Sequence, residues 1–317
     1  MKNKVDNRKD YIANHFVPET YLKNFAFDGK RCFIITDGVN KVVTNSISKI
    51  AYENYLNSRD YEIFINKNYE NKFGKGIGLL MDYREKVLSQ QRLLQIGLSP
   101  PYSPPPTPGC FDFIFDLAAF LWSHNRYTRE FISQNISNDL KNRLPQFSNL
   151  DNDFRTKDFY AKDVFENVRR DIENWKVLLR FNPNQGGHFI TSDNLCQISS
   201  VTEDLLKNIN DPIFETSDGE RLFANNIKVK YSLKTQDRID VITGAIHITI
   251  DENSMMQFPL TPHIYVMMFK NADVVDYIRR ETSFDNTDIT PFCNHFVYRN
   301  KKKQCYSKTE ESLKVYI

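Results

Sequence analysis

The sequence predicts an α+β fold: a central helical bundle packed on a mostly antiparallel sheet, with a small N-terminal hairpin. Three observations predict it. Apolar residues recur at spacings of three and four between about residues 69 and 179, the spacing falls to two or to short continuous apolar runs beyond Arg180, and no repeat of fixed period interrupts this order. The whole chain, 1–317, reads as one domain. Its N-terminal helix and hairpin occupy 1–60, the helical bundle 61–180, and mainly strands 181–317.

The elements follow in order. After His15, the run Phe16-Val17-Pro18-Glu19-Thr20-Tyr21-Leu22-Lys23-Asn24-Phe25 predicts a short helix, because Pro18 suits a first turn and Val17, Tyr21, Leu22 and Phe25 share a face. Asp28-Gly29 then marks a turn. Cys32 to Thr36 and Lys41 to Thr44 read as two strands joined through Asp37-Gly38. From about Tyr69 to Leu98, the residues Ile77, Leu80, Met81, Val87, Leu88 and Leu94 draw one buried stripe of a long helix. The prolines at 100, 101, 104, 105, 106 and 108 predict an extended connector over 98–109, since proline neither donates to a ladder nor continues a helix. Such a tract also suits a proline-recognising partner.

A second helix is expected from Phe111 to about Ile136, with Phe115, Ala118, Ala119 and Trp122 on one side and Arg126 continuing it. A third is expected from Ala161 to Leu179, on the stripe Phe165, Val168, Ile172, Trp175, Leu179. Strands are expected at His188–Thr191, Ile227–Leu233, Val241–Ile250, Met256–Leu260 and Ile264–Phe269, and a helix at Asn271–Arg280.

Composition narrows the class without naming a partner. With 24 Phe, 16 Tyr and 40% hydrophobic residues, the chain can bury a core, which excludes wholesale disorder. A net charge of +2 marks neither a dedicated DNA binder nor an acidic decoy. The polar start lacks a secretory pattern, and the densest apolar stretch, Phe111 to Trp122, carries Asp112 and Asp116 and is too short to span a bilayer. A cytoplasmic protein with no membrane segment is expected. Five scattered cysteines, none spaced as metal ligands, suit reduced thiols. No phosphate loop, zinc-protease helix, serine-hydrolase elbow or calcium loop is present.

Chemistry is therefore sought in short polar clusters. Phe189-Ile190-Thr191-Ser192-Asp193-Asn194 runs from a strand into four polar residues, either a reactive strand end or a turn in which Asp193 bonds backbone amides. His15 can transfer a proton near neutral pH or simply cap its helix. Arg126, turned inward by helical phase, needs an anion or an acid, and Asp193 is a candidate partner. His263 ends the rigid path Phe258-Pro259-Leu260-Thr261-Pro262, which can lead into a cleft or merely bend between two strands. The basic tract Arg299 to Lys303 can touch phosphates or lie solvated.

In their order along the chain, these clusters resemble the bacterial family of uncharacterised proteins called DUF4238. The matching residues are His15-Phe16-Val17-Pro18 with Tyr21-Leu22 and Phe25, then Phe189 to Asn194, then Pro259-Leu260-Thr261-Pro262; the helix with Asn125-Arg126 sits where the family has an arginine. The family continues Ser-Asp-Asn with proline, where this chain has Leu195. The resemblance implies a set of site positions and no reaction.

Residue types suggest two functions. The first is a nuclease-like phosphodiesterase or other phosphate-ester hydrolase. In it His15 moves the proton, Arg126 stabilises phosphate charge, and Asp193 orients the histidine or holds a hydrated divalent metal ion. Thr191, Ser192, Asn194 and His263 would bind substrate, with nucleic acid or nucleotide as the partner. The second is a non-catalytic binding or sensor protein for a small anionic or nucleotide ligand at the same residues. A third use of the chain, docking through the proline tract, needs neither site.

Overall fold

The computed structural model describes residues 13–54, 59–95, 108–126, 128, 154–182, 188–201, 227–229, 238–242, 245–250, 252, 254–275 and 290–317. Helices and antiparallel sheets share these residues, so the fold is α+β. Strand β1 (Ala13–His15) leads to Pro18, whose carbonyl accepts the amides of Tyr21 and Leu22 and starts α1 (Glu19–Leu22). A 3₁₀ turn, Lys23–Phe25, completes it, and Val17, Tyr21, Leu22 and Phe25 are buried as the spacing predicts. The hairpin β2 (Arg31–Thr36) and β3 (Val43–Ser46) also forms as predicted. It is entered through a turn in which the Asp28 carboxylate accepts the amides of Lys30 and Arg31 and Gly29 takes a φ of 74°. Strand β4 (Tyr52–Asn54) pairs back with β1.

The helical layer is α2 (Arg59–Ile65), a π turn (Asn66–Glu70), α3 (Asn71–Gln95), α4 (Cys110–His124) and α5 (Phe154–Ile172). Ile114, Leu117, Ala118, Ala119, Phe120, Leu121 and Trp122 are all buried, so α4 is covered nearly all round. Gly76 of α3 lies against the Phe113 ring, where a Cβ would collide. The proline tract lies outside the described residues except for Pro108. So does most of the expected continuation of α4 to Ile136.

The third helix departs from expectation. It ends at Ile172, the Trp175 amide closes the turn onto the Ile172 carbonyl, and Lys176–Phe181 forms strand β5. Trp175 and Leu179 are four apart, a spacing that serves a helix stripe and one face of a strand equally. Arg126 departs too. Asn125 leaves the helix (φ −60°, ψ 124°), which breaks the phase, and the Arg126 side chain stays 35% exposed.

Strands β6 (Thr191–Ser192), β7 (Gln197–Val201), β8 (Ile227–Val229), β9 (Arg238–Ile242), β10 (Ala245–Thr249), β11 (Ser254–Thr261) and β12 (Ile264–Phe269) follow. A five-stranded sheet runs β5-β12-β11-β7-β8, and every pairing in it is antiparallel. Its central strands are buried at every position because both faces are covered. Met256, Phe258, Leu260, Ile264, Val266 and Met268 join the helices in one core. Met255, Tyr265, Met267 and Phe269 join Ile35, Val297 and Cys305 in another. Pro259 lies beyond the stretch of β11 that pairs with β7, so its missing N–H breaks no bond to that neighbour.

The C-terminal end is more ordered than its polar composition suggests. Helix α6 (Thr290–Asn300) leads to β13 (Gln304–Ser307), which enters the four-stranded sheet β3-β2-β13-β6 between β2 and β6, and α7 (Glu311–Lys314) closes the chain. In the basic tract, Lys301 pairs with Asp37 at 2.7 Å and lies over the Tyr298 ring. Cys32, Cys196, Cys293 and Cys305 are buried thiols outside any disulfide. Among the described residues no helix is long and apolar enough to cross a membrane.

Candidate functional site

The end of α4 gathers the polar motifs. Three successive residues there reach three distant segments: His124 Nε2 lies 3.1 Å from the His15 carbonyl, Asn125 Nδ2 donates to Asn194 Oδ1 at 2.8 Å, and Arg126 pairs with Glu53 at 2.8 Å. His124 is buried and stacked on Phe120 and Tyr61. Asn194 Nδ2 in turn donates to the Asn300 carbonyl at 3.0 Å. Strand β1, its partner β4, the turn after β6 and the end of α6 therefore meet at one helix terminus, where a chain leaving the helix can use its side chains as ties.

Asp193 is 2% exposed, and its carboxylate accepts the amides of Lys302 at 2.9 Å and Lys303 at 2.8 Å. Its own amide donates to the Gln304 carbonyl. It thus holds the entry to β13, using both carboxylate oxygens on backbone of the other end of the chain. Ser192 Oγ accepts the Asn194 amide at 3.2 Å, a local Ser turn. Thr191 Oγ1 lies 3.0 Å from Tyr21 Oη, which donates to the Pro259 carbonyl and so leaves Thr191 to donate to it. This chain of hydroxyls ties α1 to β6 and β11. His263 stands in the β11–β12 turn, its ring 4.9 Å from that of His188.

His15 occupies a different electrostatic setting. Its Nε2 is 4.0 Å from Glu19 Oε2 and its ring meets Tyr52 edge-on. Its Nδ1 is buried without a bond of good geometry, although the Ile50 carbonyl is near enough to favour the charged ring. Burial lowers the His15 pKa, and the Glu19 carboxylate, the Ile50 carbonyl and Glu62 oppose that shift. Burial also pushes the Glu70 carboxyl up to about 7, with Glu62 and Glu19 adding to the rise and Lys23 opposing it. Glu70 closes the π turn, a geometry that often marks functional positions in helices. Glu19, Glu62 and Glu70 were not visible as candidates in the sequence, because only folding brings α1, α2 and the π turn to one place. Among the described residues, no three His, Cys, Asp or Glu side chains are arranged to hold a metal ion.

Fold and site together define an α+β protein with a half-buried histidine facing Glu19 and Glu62, the same carboxylates that act on Glu70. The model of a family described as a protein of unknown function, DUF4238, matches residues 13–93 of the chain. His15, Glu19, Tyr52, Glu53, Glu62 and Glu70 lie inside that stretch, whereas Arg126, Thr191 to Asn194 and His263 lie beyond it. No curated protein and no solved structure matches the chain.

Proposed function

We propose that the protein is a hydrolase working by general acid–base catalysis, with a phosphate ester as substrate and nuclease-like phosphodiesterase activity as the specific form. The observation that supports it is that Glu19 and Glu62 act on both His15 and Glu70, all four inside the stretch that the family model matches. Groups whose environments move them in opposite directions suit opposite proton roles. His15, held below its usual range, is a neutral base at pH 7. Glu70, held near 7, keeps a proton that it can donate. Arg126 is paired with Glu53, so in this reading it positions the β1–β4 ribbon, and the charge of Glu19 and Glu62 beside His15 would have to be offset for an anionic substrate to approach. The assay is therefore run with and without divalent metal ions. Reduced thiols buried in the core suit a cytoplasmic setting.

Wild type, His15→Ala and Glu70→Gln are incubated with labelled RNA, single-stranded DNA and a nucleotide panel. Loss of a proton-transferring histidine should slow turnover by about 10²–10⁴-fold. Equal product from all three proteins rules the assignment out.

A second reading, a non-catalytic binding or sensor protein for a small anionic or nucleotide ligand, is favoured by the ties that already engage Arg126 and Asp193. Thermal melting with each nucleotide separates the two. A ligand at 100 times its Kd stabilises by about 2.7 kcal/mol, and stabilisation without consumption supports the sensor.

A further inference from the structure

A second cluster lies outside that site and carries the opposite charge. His188, 8% exposed, precedes β6, and His263 turns between β11 and β12. Their backbones are pinned. Asn294 Nδ2 donates to the His188 carbonyl at 2.8 Å, the Phe189 amide to the Pro262 carbonyl at 2.9 Å, and the His263 amide to Thr261 Oγ1 at 3.1 Å. The Asn182 amide donates to the His263 carbonyl at 3.0 Å. Arg84 of α3 reaches the same place, its Nη2 donating to the Asn182 carbonyl at 2.8 Å.

One nitrogen of each of these firmly placed rings has no partner. His188 Nδ1, His263 Nδ1 and Arg84 Nε are all buried without a hydrogen-bond partner. Native structures rarely leave such groups unmatched, and each asks for a reason. The charged neighbours facing the two rings are Arg84 from α3 and Lys308 from the segment after β13. Glu85, beside Arg84 in sequence, takes one edge of its guanidinium at 2.5 Å and is itself 61% exposed. No other carboxylate is paired with Arg84, His188, His263 or Lys308 among the described residues.

We propose that His188, His263, Arg84 and Lys308 form an anion site, distinct from the His15 cluster, that takes the dianionic group of a phosphate monoester. Two cations and two imidazole N–H donors match the charge and acceptor count of a terminal phosphate better than the single negative charge of a diester. The electrostatics of the cluster agree. Burial, His188, Arg84 and Lys308 together hold His263 down to about 4, and burial and Lys308 lower His188. Both rings are neutral at pH 7, and a bound dianion favours their charged forms. Binding therefore draws protons from solution.

Titration calorimetry of the full chain tests this. Its probes are inorganic phosphate, sulfate, a nucleoside 5′-monophosphate and a dialkyl phosphate diester. Sulfate stays doubly charged at all working pH values, so it isolates the titration of the rings from that of the ligand. Binding of phosphate, sulfate and the monophosphate is expected, with the diester at least about tenfold weaker. Sulfate affinity is expected to rise from pH 8 to pH 5.5, with proton uptake seen as a dependence of the heat on buffer ionisation. His263→Gln should weaken sulfate about tenfold, and Lys308→Met, a half-exposed change that spares the fold, should do so as well. Absence of binding, equal affinity for the diester, or unchanged affinity in the folded Lys308→Met variant overturns the site. None of these outcomes bears on the His15 assay.

Discussion

His15 and His263 are both partly buried imidazoles at strand ends, yet the charges around them are opposite. Glu19 and Glu62 face His15, while His188, Arg84 and Lys308 face His263. Burial lowers both pKa values. At His15 the carboxylates restore part of the shift, and at His263 the cations deepen it, to about 4. Two similar residues thus acquire different chemistry from the sign of their neighbours, with burial as the shared background. The lesson extends to Glu70, a carboxyl that other carboxylates and burial carry close to neutrality.

The contrast breaks most severely if the element joining the two regions is loosened. Asp193 lies in the turn that follows β6, and β6 is linked through Thr191 to Tyr21, near one region, and begins three residues after His188, in the other. Asp193→Ala leaves two half-buried backbone amides without their charged acceptor and should lower stability by roughly 2–4 kcal/mol. Urea unfolding measures it, and a change below about 0.5 kcal/mol would mean that the clamp onto Lys302 and Lys303 matters little.

Next in size is the pH dependence, where the two regions should act with opposite sign. The folded pKa of His263 lies below its unfolded value near 6.5, so as pH falls from about 6.5 to about 4 the unfolded chain takes up a proton first and stability drops. The folded pKa of Glu70 lies above its unfolded value near 4.5, so stability drops as pH rises from about 4.5 to about 7. His263→Gln should raise Tm relative to wild type at pH 5 more than at pH 8, and Glu70→Gln should do the reverse. Melting curves at both pH values that shift in parallel would erase the distinction between the regions.

The smallest effect concerns Arg126 and Glu53, a pair exposed by 35% and 40%. A double-mutant cycle with Arg126→Met and Glu53→Gln should give a coupling of about 0.2–1 kcal/mol. A coupling of several kcal/mol would show that this pair is more deeply tied into the α4 terminus than its exposure implies.

Where the chain pattern admits one interpretation, the fold was legible. Val17, Tyr21, Leu22 and Phe25 define the first helix, and the alternation through Met255 to Leu260 separates two cores on two faces of one strand. Where a spacing serves two geometries, as for Trp175 and Leu179, the sequence pattern extends the helix into what is strand β5. Helix α6 and strand β13 escaped notice because their residues look polar until both sheets close over Cys293, Cys305 and Tyr306. The motif residues His15, Arg126 and Asn194 were legible as positions, but their partners His124, Glu53 and Asn125 were not.

By itself the sequence determined the α+β class, the succession of a helical middle by strands and the short polar motifs, because periodicity and turn chemistry act between residues close along the chain. Only the tertiary structure decided that Asp193 holds the backbone of Lys302 and Lys303, that Glu19 and Glu62 bear on both His15 and Glu70 and that His188 faces His263. Charge and desolvation depend on distance in space, and residues as far apart as Arg84 and Lys308 become neighbours only when the chain has folded.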